Sequence, residues 1–176
     1  GDHHHGDGGG YALVAAAEVA HGRQAGAPHA GVGGGGGTHH YAVHHILTDE
    51  AGADALALIN TVLGMVINLE TMRPHLGGKT GGLSGPAIKP VAVRAIYQVH
   101  AVLPEVPILG MGGVASGLDA LELILAGASG VSVGTASFGN PHAAIDIQNE
   151  LRDLLIAKGF QSLKSAVGYA HRAAEL

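Results

Sequence analysis

The sequence predicts an α/β fold in which short parallel strands alternate with helices, and three observations carry that expectation. The apolar runs ALALIN (Ala55–Asn60), VPILGMGG (Val106–Gly113) and GVSVGT (Gly130–Thr135) lack polar alternation, as expected where both faces of a sheet are covered. Apolar residues at i, i+3, i+4 spacing fill intervals around these runs, the pattern of helices that bury one face. Each run ends in Gly or a small polar residue, which suits a turn from strand into helix. Units of this kind pack around a parallel sheet.

The first elements are the least regular. Tyr11–His21 has helix-forming composition, Ala27–Gly33 reads as a weak strand and His39–Gly52 as a helix. Between the last two lie five glycines, Gly33–Gly37, with maximal freedom in the unfolded chain and no side chain to pack. ALALIN is the first clear strand. A long irregular connection then leads to GGLSGPAIKP (Gly81–Pro90), a loop that opens a helix.

That helix places Ile88, Val91, Ala92, Ala95, Ile96 and Val99 on one face, with Pro86 and Pro90 in or before its first turn, where proline is tolerated. Leu118, Leu121, Ile124 and Leu125 mark a shorter helix, and Gly127 can end it in the left-handed conformation. Asn140 and Pro141 form an N-cap pair ahead of Ala144, Ile147, Leu151 and Leu154. A last helix around Leu163, Ala166, Val167 and Ala170 closes the chain. This count is about half of an eight-stranded barrel, which typically needs about 250 residues. The expected fold class is therefore α/β, a (β/α)8 TIM barrel of which this chain covers about the C-terminal half. Residues 1–50, rich in Gly and His, would be the preceding βα units, and residues 51–176 the C-terminal units. A half barrel leaves two open sheet edges.

Composition narrows the partners. The net charge is -5 with only 9 Lys plus Arg in 176 residues, so the basic footprint needed for nucleic acid is missing. No cysteine is present, which excludes a disulfide framework, a thiolate metal site and a cysteine nucleophile within the chain. No apolar run reaches about 18 residues, so no membrane partner is expected and the protein is expected to be cytoplasmic.

The glycines at the strand ends carry the chemistry. In βα barrels a phosphate commonly sits between the loops after the last two strands, held by backbone N–H groups. Gly112 and Gly113 after one run, and Gly134 and Thr135 after the next, have the types and order for such a site. Gly85, just before Pro86, would bring a third stretch of backbone near the ligand. The plainer alternative is that these glycines only turn the chain. Asn60 and Thr61 lie where a barrel strand delivers side chains to the active face, and an amide with a hydroxyl can read a ring of alternating donors and acceptors. Local capping by Asn60 is the competing account.

The histidines weigh less. Nine of the thirteen fall within residues 1–45, among them His3–His5, His39, His40, His44 and His45. His40 and His44 would share a helix face, but no carboxylate or Cys pattern completes a metal geometry, and no metal is expected. Met65, Met72 and Met111 read as packing residues, and Lys79 and Lys89 as surface charge.

Taken together, INTVLGMVINLETMRPHLGGKTGGLSGPAIKPVAVRAIYQV, PILGMGGV and DALELILAGASGVSVGTASF resemble the C-terminal half of a dihydroorotate dehydrogenase. GGLSGPAIKP is similar to the NAD-linked type 1B catalytic subunit in particular. The resemblance runs from about Ala51 to Phe138 and more loosely to the end. It implies an FMN barrel that oxidises dihydroorotate to orotate in pyrimidine (UMP) synthesis. By position it implies that Ile59, Gly85, Gly112, Gly113, Gly134 and Thr135 contact FMN and that Asn60 and Thr61 touch the substrate. It also implies a homodimer and a partner subunit, carrying FAD and an iron–sulfur cluster, that passes electrons to NAD.

The chain departs from the family in its first fifty residues. The family's cysteine base belongs to the N-terminal half of the barrel, and no Cys is present here. The family's KLSPN stretch, whose Lys contacts the flavin, falls on Gly33–Gly37 while the flanking spacing persists. No catalytic residue is therefore assigned within the chain, which is expected to be incomplete and inactive alone. The alternative function is a non-catalytic phosphate- or nucleotide-binding half barrel that completes its sheet by association.

Overall fold

The structure, a computed structural model, describes residues 54–173. Its strands are β1 (Leu56–Leu58), β2 (Val62–Gly64), β3 (Ile67–Asn68), β4 (Arg73–Pro74), β5 (Gly81–Leu83), β6 (Ile108–Met111) and β7 (Gly130–Ser132). Its helices are α1 (Lys89–Val102), α2 (Gly117–Ala126), α3 (Ala136–Gly139), α4 (Ala143–Ala157), α5 (Leu163–Ala166) and α6 (Tyr169–Ala173), and a 3-10 turn at Pro86–Ile88 leads into α1. The expected elements within residues 1–50 lie outside the described residues.

The three apolar runs form one parallel sheet in the order β1-β6-β7. Leu58 pairs with Gly110, and Met111 with Ser132. The shared direction and register bring all three C-terminal ends to one edge. β6 is central, and Ile108 within it is fully buried.

The connection between β1 and α1 is not the irregular segment expected. β2 pairs antiparallel with β5, and β3 with β4. Each ladder is only two or three residues long, too short for strand periodicity to be visible in sequence. Met65 and Met72 stand 53% and 79% exposed here, so they are not packing residues.

α1 buries Ala92, Ala95, Ile96 and Val99, as its spacing requires. α2 buries Ala120, Leu121, Leu123 and Ile124, whereas Leu118 is 63% exposed. The burial face is rotated from the expected stripe because α2 packs against both α1 and α4. Ser116 caps α2 by accepting from the Asp119 N–H, and Gly127 ends it at φ 129°. α4 starts after Asn140 and Pro141, with the Asn140 side chain accepting from the His142 N–H at 2.9 Å. Its buried line is Ala143, Ile147, Leu151 and Leu155, so Ala144 and Leu154 flank the core.

The expected last helix is two, α5 and α6, parted at Gly168 with φ 65°. The Gly168 N–H leaves the helical path to donate to the Ile124 carbonyl at 3.0 Å. Ile96, Ile108, Leu123, Ile124, Val131, Ile147 and Leu155 are the large side chains nearly removed from water, each stabilising the fold by about 1.5–3 kcal/mol. Among the described residues, no helix is long and apolar enough to cross a membrane.

Candidate functional site

The residues after β1, β6 and β7 and the turn from Ser84 to Ile88 line one cavity of about 670 Å³. Ile59, Asn60, Thr61, Gly85, Gly112, Gly113, Gly134 and Thr135 all line it. The parallel register explains the convergence, because adjacent strands stop at one level. Ile59 extends it one residue further, its N–H donating to the Met111 carbonyl at 2.9 Å. Buried Ile59 and Ile88 supply apolar wall.

Gly85, Gly112 and Gly113 have φ of 80°, 119° and 78°, conformations that glycine adopts without a Cβ penalty. Gly113 is also tightly packed. A Cβ there would lie 2.7 Å from Lys89 Cβ and 2.9 Å from both Gly85 O and Lys89 N. Gly134 is different, since an added Cβ would meet nothing within 4 Å. Packing within the described residues does not demand glycine at Gly134; a side chain there would occupy open space.

The amide N–H groups of Gly112, Gly113, Gly134 and Thr135 donate to no backbone acceptor among the described residues. Unsatisfied amides on loops of this kind suit an anion. Among the described residues no charged side chain lines the cavity, so an anion there would be met by backbone N–H dipoles rather than by a cation. Asn60 Oδ1 accepts from the Thr61 N–H at 2.7 Å and from Thr61 Oγ1 at 3.4 Å. The local cap and the cavity position therefore coexist.

Ser84, Met111 and buried Ser132 also line the cavity. The sequence does not mark them as site residues, because serine and methionine within a strand or loop carry no spacing signal; Met111, expected as a packing residue, faces the cavity as well. The one available signal was adjacency: Ser132 lies inside GVSVGT and Ser84 inside GGLSGPAIKP.

Lys89 is not simple surface charge. Its Nζ lies 2.7 Å from Asp119 Oδ1 and 2.7 Å from Glu122 Oε2. Its hydrogen bonds to Asp119 first, and then to Glu122, hold its ammonium above the usual lysine range. Burial pushes the Asp119 carboxyl up, but bonds from Lys89, Ser116 and Ala115 outweigh it and hold the group below its usual range. Lys79 is exposed and outside the cavity. Among the described residues, no three His, Cys, Asp or Glu are grouped to hold a metal ion; His3–His5, His39, His40, His44 and His45 lie outside them.

A sequence model of the family Dihydroorotate dehydrogenase matches residues 39–155. The chain is 50% identical over 130 residues to the "Dihydroorotate dehydrogenase B (NAD(+)), catalytic subunit" of Oceanobacillus iheyensis, covering 71% of this chain and 42% of that protein. It is 53% identical over 122 residues to the protein of the same name from Desulforudis audaxviator, covering 69% and 39%. The chain thus spans about two fifths of the length of these curated relatives. Two crystal structures of a DHODH from Eimeria tenella share the fold. The complex with ferulenol has a TM-score of 0.61 at 32% identity, covering 73% of this chain and 34% of that one. The ligand-free form has a TM-score of 0.65 at 30% identity, covering 77% and 37%. The three parallel strands and their helices are accordingly part of a (β/α)8 barrel. With the match extending from residue 39 to residue 155 and the fold shared with solved relatives, the chain belongs to the dihydroorotate dehydrogenase family.

Proposed function

We propose that this chain supplies the C-terminal βα units of an FMN-dependent barrel that oxidises dihydroorotate to orotate in pyrimidine synthesis. The observation that supports it best is the convergence of all eight residues named by the resemblance on one cavity. Two features of the cavity support FMN as its ligand. Four amide N–H groups without backbone acceptors suit a phosphate, and the open space at Gly134 leaves room beside them.

When bound, FMN supplies the two-electron acceptor for this oxidation. Gly112, Gly113, Gly134 and Thr135 would hold its phosphate through backbone amides, with Gly85 alongside. Ile59 and Ile88 exclude water from the wall. Asn60 and Thr61 orient the ring and carboxylate of dihydroorotate. Oxidation removes a hydride and a proton from neighbouring carbons. The family resemblance assigns the proton to a cysteine, and this chain has none, so it holds and orients but does not complete the reaction alone.

In the assembly this reading implies, residues 1–50 correspond to the preceding βα units and 51–176 to the flavin-phosphate units. A homodimer works in the cytoplasm with a partner subunit carrying FAD and an iron–sulfur cluster, through which electrons reach NAD.

The test is retention of FMN by the purified chain after gel filtration, read as absorbance at about 450 nm. Co-elution of flavin with folded protein is the expected result. Folded protein that retains no flavin would overturn the proposal, and stabilisation by inorganic phosphate alone would then favour the non-catalytic binding module.

A further inference from the structure

We infer that Asp119 and Lys89 are positioning residues that set the Gly112–Gly113 loop against the Gly85 turn and give the cavity its preference for a phosphate-bearing ligand. This rests on the flavin-phosphate reading above and names the residues behind that preference.

The loop after β6 and the turn before α1 are far apart in sequence, yet both line the cavity. Asp119, in the first turn of α2, joins them. Its Oδ1 lies 2.7 Å from Lys89 Nζ at the start of α1. Its Oδ2 accepts from the Ala115 N–H at 3.1 Å and from Ser116 Oγ at 2.9 Å. One carboxylate therefore bonds the loop with one oxygen and the helix with the other. Neither Asp119 nor Lys89 lines the cavity, whereas Gly113 and Ala115 do. The clip stands directly behind the wall.

Two features make its geometry matter to the ligand. The Gly113 backbone is packed against Lys89 and Gly85 with no room for a methyl group, so a shift of Lys89 is transmitted to the loop. The Lys89 ammonium is also shared between Asp119 and Glu122, which leaves the anion to the amides. Amide hydrogen bonds weaken steeply as they lose alignment, and a phosphate held only by amides depends on how the loop is aimed.

Asp119 also serves α2, since its N–H donates to Ser116 Oγ in a capping arrangement. Helix capping alone predicts similar losses for FMN and for riboflavin, which lacks the phosphate. The clip predicts a loss confined to FMN.

The experiment measures FMN and riboflavin affinity by fluorescence quenching in wild type, Asp119→Asn, Lys89→Met and Lys89→Arg, with thermal melts of each. Lys89→Met leaves the cap of α2 in place, so it reports even where Asp119→Asn fails to fold. The expected result is a loss of about tenfold in FMN affinity in Asp119→Asn and Lys89→Met, the low end for removing a group that supports a ligand site. Riboflavin affinity stays near wild type, and Lys89→Arg keeps most FMN affinity. Equal losses for both flavins, or no loss, would overturn the inference. If wild type binds neither flavin, the flavin reading fails separately, and the shift in melting temperature with inorganic phosphate decides the clip. Loss of that shift in the variants supports it; an unchanged shift, or none in wild type, removes it.

Discussion

The ring of His171 lies flat on that of Tyr97, with centroids 3.8 Å apart and planes 11° from parallel. His171 Nε2 also sits 3.0 Å from the Ala126 carbonyl, a contact that places the proton on Nε2. α6 is thereby fastened to α1 and to the end of α2. His171→Ala removes the stack and the bond and is expected to destabilise the fold by about 1–2 kcal/mol. Chemical denaturation measures it, and hydrogen exchange should show α6 losing protection first.

His100 makes this corner sensitive to acid. Its ring is tilted 5.0 Å from that of His171, and its Nδ1 is buried without a partner among the described residues. Burial first, then His171 and Arg172, lowers its pKa from 6.5, while Glu105 opposes them. A histidine lowered in the folded state contributes stability that is present above its unfolded pKa and lost as pH falls through the folded value. The melting temperature should therefore fall as pH drops below 6.5, and His100→Gln should flatten that slope. An unchanged slope in the variant would contradict the assignment.

Gly113 and Gly134 should respond oppositely to the same substitution. Gly113→Ala forces a side chain at φ 78° and into Lys89 and Gly85, so it should cost about 1–3 kcal/mol of stability. Gly134→Ala meets nothing within 4 Å and should change stability by less than about 0.5 kcal/mol. Its methyl group nonetheless occupies open space beside the cavity's amides and should weaken FMN binding. Thermal melts with and without FMN separate the two effects.

Leu123 is fully buried where α2 meets the sheet and neighbouring helices. Leu123→Ala should lose about 2–5 kcal/mol through lost transfer energy and the cavity left behind. A denaturation curve that moves by much less would mean that α2 can collapse onto the space.

Much of the site was legible because its signals are local. An unbroken apolar run marks a strand of a covered sheet, and VPILGMGG and GVSVGT give the mostly buried β6 and β7. ALALIN gives β1, whose Ala57 is exposed and whose Leu56 and Leu58 are half-buried among the described residues, because β1 is an edge strand of the described sheet. Strand-end glycines show as residue types, and Gly112, Gly113 and Gly134 needed no tertiary information to be singled out. Gly168 was harder to read, because the kink between α5 and α6 depends on a bond to Ile124 across the core.

The sequence by itself therefore determined the alternation of strand and helix, the family, and eight of the residues that line the cavity, since each is written in neighbouring positions. Only the tertiary structure decided which way α2 and α4 turn, the short antiparallel ladders after β1, and the pairing of Lys89 with Asp119. That pair is 30 positions apart, and burial and ion pairing at such a distance depend on how the whole chain packs rather than on any local pattern.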